Sequence, residues 1–207
     1  MQSLQLRRGD ALIIVDLQHD FLPGGALAVG DGDAVIPVLN RAIAAFDGAG
    51  LPVIATRDWH PADHCSFHAQ NGIWPPHCIA GTHGAQFSPQ LHLQSATVVS
   101  KATSAARDAY SGFEGTDLAA TLRSQNVQRV FVGGLATDYC VLQTVIDALK
   151  LGFEVVLLRD AVRAVDVQPG DGERAIARMT AGGALAASVD DIDRAGHAAA
   201  LDSVRAA

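Results

Sequence analysis

Basic charge is scarce in this sequence. Its 207 residues include 15 Lys and Arg against 22 Asp and Glu, giving a formal charge of -7 with histidine neutral. Proteins that hold a phosphate backbone present clustered Lys and Arg. No such cluster occurs here, so no nucleic-acid partner is expected. Long hydrophobic runs are missing as well. The first, Ala11–Val15, stops at Asp16. It is too short for a membrane span and lacks the form of a signal peptide, so no membrane partner is expected. Cysteine is sparse too: Cys65, Cys78 and Cys140 make an odd number with no C-x-x-C pair. That argues against a disulfide framework and for reduced thiols in a cytoplasmic protein. No linker, repeat or low-complexity tract is visible. With 49% hydrophobic and 18% charged residues, the chain can bury a core of ordinary size. The expectation is a single domain over residues 1–207.

What is present is a set of short apolar runs rich in β-branched residues. They are Ala11–Val15, Val53–Thr56, Thr97–Val99, Val130–Val132 and Val155–Leu158. Most are apolar on both faces, as strands of a parallel sheet covered on both sides are. Helical periodicity lies between them, at Asp33–Ala49, Thr116–Arg123 (with Thr116 as a cap), Asp138–Leu151 and Asp171–Thr180. Alternation of strand and helix predicts an α/β fold: a three-layer, doubly wound, mainly parallel sheet with helices on both faces. The stretch from Arg57 to about Gln90 has no clear period and holds most of the histidines. A loop that long in a compact domain is usually functional.

In such sheets, ligands bind beyond the carboxyl ends of the strands. Asp16, Asp58, Lys101 and the segment Gly133–Cys140 all fall there. Cys140 follows a strand and opens a helix, where unpaired N–H groups and the helix dipole favour a thiolate and an oxyanion. A free cysteine is as readily a small buried apolar side chain. Asp16 alone reads equally as a cap, and Lys101 alone as a solvated cation. Together they form a nucleophile with a base and a cation beside it. A third cluster is Asp58-Trp59-His60-Pro61-Ala62-Asp63-His64, with Trp74-Pro75-Pro76-His77 following. One carboxylate with two or three imidazoles is a first shell for Zn²⁺, Fe²⁺ or Mn²⁺. In an extended segment, Asp58 and His60 point to the same side. His68, His83 and His92 read as surface residues.

These segments resemble the nicotinamidases (pyrazinamidases) of the isochorismatase-like cysteine hydrolases. The likeness runs from about Ala11 to about Ala187. It is carried by Ala11–Phe21 with Gly24-Gly25 and Leu27-Ala28-Val29, Asp58-Trp59-His60-Pro61, Trp74-Pro75-Pro76-His77-Cys78, Lys101, Tyr110-Ser111-Gly112-Phe113 and Gly134–Val141. The resemblance implies hydrolysis of nicotinamide to nicotinate and ammonia through a cysteine thioester, in NAD salvage. It implies a triad of Asp16, Lys101 and Cys140. It implies one divalent metal, zinc or else iron or manganese, on Asp58, His60 and His77, with His64 as a further ligand. An oxyanion hole from the N–H groups of Ala136 and Cys140 is implied, with a non-proline cis peptide before Ala136. Phe21, Trp74 and Tyr110 become walls for a flat ring. The expected partner is a small-molecule amide, and a homo-oligomer is compatible with these features. His19 departs from the asparagine expected at its position. The alternative is a related amidohydrolase for a carbamoyl or ureido substrate, which shares the triad but not the metal cluster.

Overall fold

A computed structural model describes residues 4–192. Six strands form one sheet: β1 (Asp10–Val15), β2 (Val53–Asp58), β3 (Thr97–Lys101), β4 (Arg129–Leu135), β5 (Glu154–Arg163) and β6 (Leu185–Ala187). Their spatial order is β3-β2-β1-β4-β5-β6, and each adjacent pair is parallel. The helices are α1 (Ile36–Gly48), α2 (Leu118–Ser124), α3 (Leu142–Lys150) and α4 (Asp171–Ala181). Alternation along β1 divides the core between two faces. Leu12 and Ile14 pack with Leu39, Ile43 and Phe46 of α1. Ala11, Ile13 and Val15 pack with Leu118 and Leu122 of α2, Val145 of α3 and Met179 of α4. The expected doubly wound fold is thus present, with an all-parallel sheet.

Several boundaries differ from those read in the sequence. β4 does not stop at Val132 but continues through Gly133 and Gly134 to Leu135. Gly134 has φ 125°, and a Cβ there would lie 2.1 Å from the Val15 carbonyl oxygen. Only glycine lets β4 run this close to β1, so a pair that resembles a turn signal is strand. Asp58 and Lys101 are the last residues of β2 and β3, not residues beyond them. The long helical pattern before Ala49 begins as a 3-10 turn, Gly32–Val35, before α1. The pattern from Asp138 likewise divides into a π-helical turn, Thr137–Val141, and α3. The N-cap of α2 is Asp117 and not Thr116, although the Thr116 Oγ1, one residue earlier, accepts from the Leu118 N–H at 3.2 Å. β6 gave no signal, being three residues of Leu and Ala. Between β2 and β3 the only helix is a 3-10 turn at His68–Gln70, so the long histidine-bearing loop is as expected. No helix among the described residues is long and apolar enough to cross a membrane.

The sheet order reverses direction between β1 and β4. In open α/β sheets that switch point opens a crevice at the carboxyl end. Asp16 leaves β1 on one side of it, and the turn bearing Cys140 leaves β4 on the other.

Candidate active site

Lys101 sits at the centre of this edge. It is only 1% exposed, and Asp58 lies beside it in the β2–β3 register. Its Nζ lies 2.9 Å from Asp16 Oδ2 and 2.5 Å from Asp58 Oδ1. The Ala109 carbonyl and the Cys140 Sγ each lie 3.4 Å from the same atom. A buried ammonium is costly unless paired, and here two carboxylates pair it. Burial works against its charge, but Asp16 and Asp58 prevail and hold its pKa well above the ordinary value.

Asp16 is wholly buried, with φ 51° where β1 ends. Its Oδ1 accepts from Thr56 Oγ1 at 2.7 Å. Its Oδ2 is paired with the Lys101 ammonium at 2.9 Å and has no other polar partner. Atoms of Asp16, Asp58 and Cys140 lie within 4.8 Å of one another. Burial raises the Asp16 pKa, helped by Asp58 and opposed by Lys101. Burial also raises the Cys140 thiol, opposed by Lys101 and helped by Asp16. Burial thus disfavours the charged form of both side chains, and the Lys101 ammonium opposes it in both. Cys140 lies in the π-helical turn, and the Leu135–Ala136 peptide before that turn is cis, as the resemblance implied.

Beside the triad lies a second buried group. One ligating atom each from Asp58, His60 and His77 falls within a 4.8 Å cluster. His60 Nδ1 meets the His77 carbonyl at 3.0 Å, and His77 Nδ1 meets the Pro75 carbonyl at 2.8 Å. A carbonyl oxygen can only accept, so each Nδ1 is the donor there, and in the neutral ring that leaves Nε2 as the nitrogen with the lone pair. That is how metal-binding imidazoles are oriented. The donor set of one carboxylate oxygen and two neutral imidazole nitrogens fits Zn²⁺, Fe²⁺ or Mn²⁺ and leaves coordination positions open. Phe67, 1% exposed, presses edge-on against the rings of His60, His64 and His77. Asp58 belongs to both groups. Burial pushes its pKa up, but Lys101 and His60 outweigh that and hold it below the usual carboxylate value.

The His64 ring lies tilted against that of His60, with centroids 4.3 Å apart, but its nitrogens are otherwise engaged. Its Nδ1 meets Ser66 Oγ at 2.7 Å, and its Nε2 meets the Arg107 carbonyl at 3.2 Å. It also forms a possible cluster with His60 and Asp108, apart from His77. His68, His83 and His92 are exposed, as expected. The three cysteines are free thiols.

Cys140 from the first group, and Asp58 and His77 from the second, open into one pocket with about 390 Å³ of space, part of it continuous with solvent. Phe21, Trp74 and Tyr110 line it, as the sequence suggested, alongside Asp58, His77, Ala136 and Cys140. Trp74 Nε1 donates to the Tyr110 hydroxyl at 2.9 Å, which fixes two walls relative to each other. Leu27, Val29, Tyr139 and Val165 complete the lining. The sequence reading missed these four. Tyr139, next to Cys140, and Leu27 and Val29, within a segment that carries the resemblance, had signals that point to them; Val165 had none.

The family profile described as the Isochorismatase domain matches residues 10–191. The chain belongs to the isochorismatase family. Nicotinamidase of Escherichia coli (strain K12) is 41% identical over 203 residues, covering 87% of this chain and 95% of the relative. Pyrazinamidase of Pyrococcus horikoshii in complex with zinc is 50% identical with a TM-score of 0.83, covering 87% of this chain and 99% of that one. PnC1 of L. infantum in complex with nicotinate is 38% identical with a TM-score of 0.86, covering 92% and 98%. Among isochorismatase-family hydrolases, this chain is therefore similar over most of its length to proteins named for a pyridine or pyrazine carboxamide.

Proposed function

We propose that this enzyme is a nicotinamidase, hydrolysing nicotinamide to nicotinate and ammonia through a thioester on Cys140, as a step of NAD salvage. The observation that carries the proposal is the sharing of one pocket by Cys140, which clusters with Asp16, and by Asp58 and His77, which cluster with His60. Relatives named nicotinamidase, and a similar structure holding nicotinate, support the same reading.

Asp16 Oδ2 takes the proton from Cys140 Sγ as sulfur attacks the carboxamide carbon. Lys101 stays protonated and balances the negative charge passing between sulfur and carboxylate. The N–H groups of Ala136 and Cys140 hold the oxygen of the tetrahedral intermediate. Protonated Asp16 then gives its proton to the departing nitrogen, which leaves as ammonia. Water, deprotonated by Asp16, attacks the thioester, releases nicotinate and restores the thiol. Phe21, Trp74 and Tyr110 hold the ring flat. Asp58, His60 and His77 would hold one divalent ion, which supplies a Lewis-acidic site for the pyridine nitrogen, directly or through water. His64 backs His60 and is the candidate for a further ligand.

Mass spectrometry of an acid-quenched reaction tests the covalent step. Wild-type protein should carry one nicotinoyl group on the peptide containing Cys140 and release ammonia and nicotinate in equal amounts. Cys140→Ala should stay folded, retain ring binding, carry no adduct and release no ammonia. Substantial turnover by that variant would remove Cys140 as the nucleophile.

A further inference from the structure

Gln18 is fully buried at the edge of the site but is absent from the pocket lining. Its carboxamide is saturated with backbone partners. Nε2 donates to the Asp58 carbonyl at 2.7 Å and to the Ala85 carbonyl at 3.0 Å. Oε1 accepts the Asp58 N–H at 2.7 Å. Both hydrogens of the amide are used, and these partners permit one orientation of its oxygen and nitrogen.

The reason lies in where β1 ends. β1 pairs with β2 as far as Val15 opposite Thr56, and the Asp16 N–H still reaches the Thr56 carbonyl at 3.2 Å. Asp16 then turns the chain away at φ 51°. Asp58, two residues past Thr56, has Lys101 of β3 on one side but no strand on the other. A carboxamide offers the donor and acceptor of a peptide group. The Gln18 side chain takes the place of the missing strand, pairing with both the N–H and the carbonyl of Asp58. We infer that Gln18 is a positioning residue for Asp58, fixing its carboxylate where it can pair with Lys101 and also ligate the metal. This rests on the proposed reading of Asp58 as a ligand. Asp58 Oδ1 lies 4.0 Å from His60 Nε2, so a small displacement of its backbone changes the ligand geometry. Groups that hold metal ligands in place act through such displacements.

Metal affinity tests this without reference to turnover. Gln18→Glu keeps the shape of the side chain but loses both donors. Gln18→Met removes them without adding charge, and serves if the buried carboxylate of Gln18→Glu prevents folding. Zinc dissociation constants are measured by chelator competition for wild type, both Gln18 variants, Asp58→Asn and the double variant Gln18→Met/Asp58→Asn. Cobalt(II) spectra report the ligand geometry, and circular dichroism checks the fold. Each folded Gln18 variant should bind zinc about 10- to 100-fold more weakly, with a changed cobalt spectrum. The double variant should be no weaker than Asp58→Asn alone, because Gln18 acts through Asp58. Unchanged affinity in folded Gln18 variants, or additive losses in the double variant, overturns the positioning role alone. Unchanged affinity in Asp58→Asn overturns the ligand reading and this inference with it.

Discussion

Lys101 holds two buried carboxylates apart, and its removal leaves Asp16 and Asp58 facing each other with no cation between them. Stripping one partner from a buried ion pair costs roughly 3–5 kcal/mol. Lys101→Met should therefore lower unfolding free energy in denaturant by about that amount and abolish ammonia release. A stability close to wild type would contradict the account of the cluster. Lys101→Arg is no conservative rescue, because a planar fork of five donors does not fit a socket built around a point charge. The clustering of Asp16, Lys101 and Cys140 was legible because each stands at or just beyond a strand end, within segments that resemble a known family. Composition held a further hint: of 15 Lys and Arg residues, only Lys101 and Lys150 are lysines. Gln18 and Phe67 were not legible as supports. Their importance depends on partners far along the chain, and neither a buried amide nor a buried phenyl ring has a periodic signature.

Among the elements, β4 does most to place Cys140, because its close approach to β1 brings that residue to Asp16. The approach depends on Gly134. A methyl group there would fall 2.1 Å from the Val15 carbonyl oxygen and 2.6 Å from its nitrogen, at a φ of 125°. Backbone atoms cannot yield as a flexible side chain does. Gly134→Ala should destabilise by roughly 3 kcal/mol or more, or prevent folding, as expected for a strained backbone combined with overpacking. Chemical denaturation reads this directly, and a loss under about 1 kcal/mol would mean the strands can separate without penalty. The same feature explains the misplaced end of this strand. Glycine pairs signal turns by default, and the reason for this pair is a neighbouring strand that local sequence does not reveal. Strands buried on both faces were legible because β1 and the first part of β4 are continuous apolar runs. β6 at the edge was not, since Leu-Ala-Ala carries no β-branched residue. The π-helical turn was hidden for a related reason: its apolar residues continue the period of α3.

Across the whole molecule, the sheet order explains how residues from four strands converge. β1 and β4 flank the switch point, and β2 and β3 extend the same edge with Asp58 and Lys101 in register. Topology joins the triad to the Asp58–His60–His77 group, so metal loss should damage substrate binding while the fold persists. Chelation should raise the KM for nicotinamide strongly, and added Zn²⁺, Fe²⁺ or Mn²⁺ should restore it. His60→Ala should reproduce the defect and lower bound metal per chain by elemental analysis. Purified protein that carries no metal and ignores chelators would instead favour a carbamoyl or ureido substrate. The central claim is that one pocket combines cysteine chemistry with recognition of a ring nitrogen. Benzamide tests it most directly, since it matches nicotinamide in shape but has a C–H in place of that nitrogen. A polar site left without its partner is penalised heavily, so kcat/KM for nicotinamide should exceed that for benzamide by roughly 100-fold or more. A slot that reads only the flat ring would treat the two alike, and equal values would contradict the account.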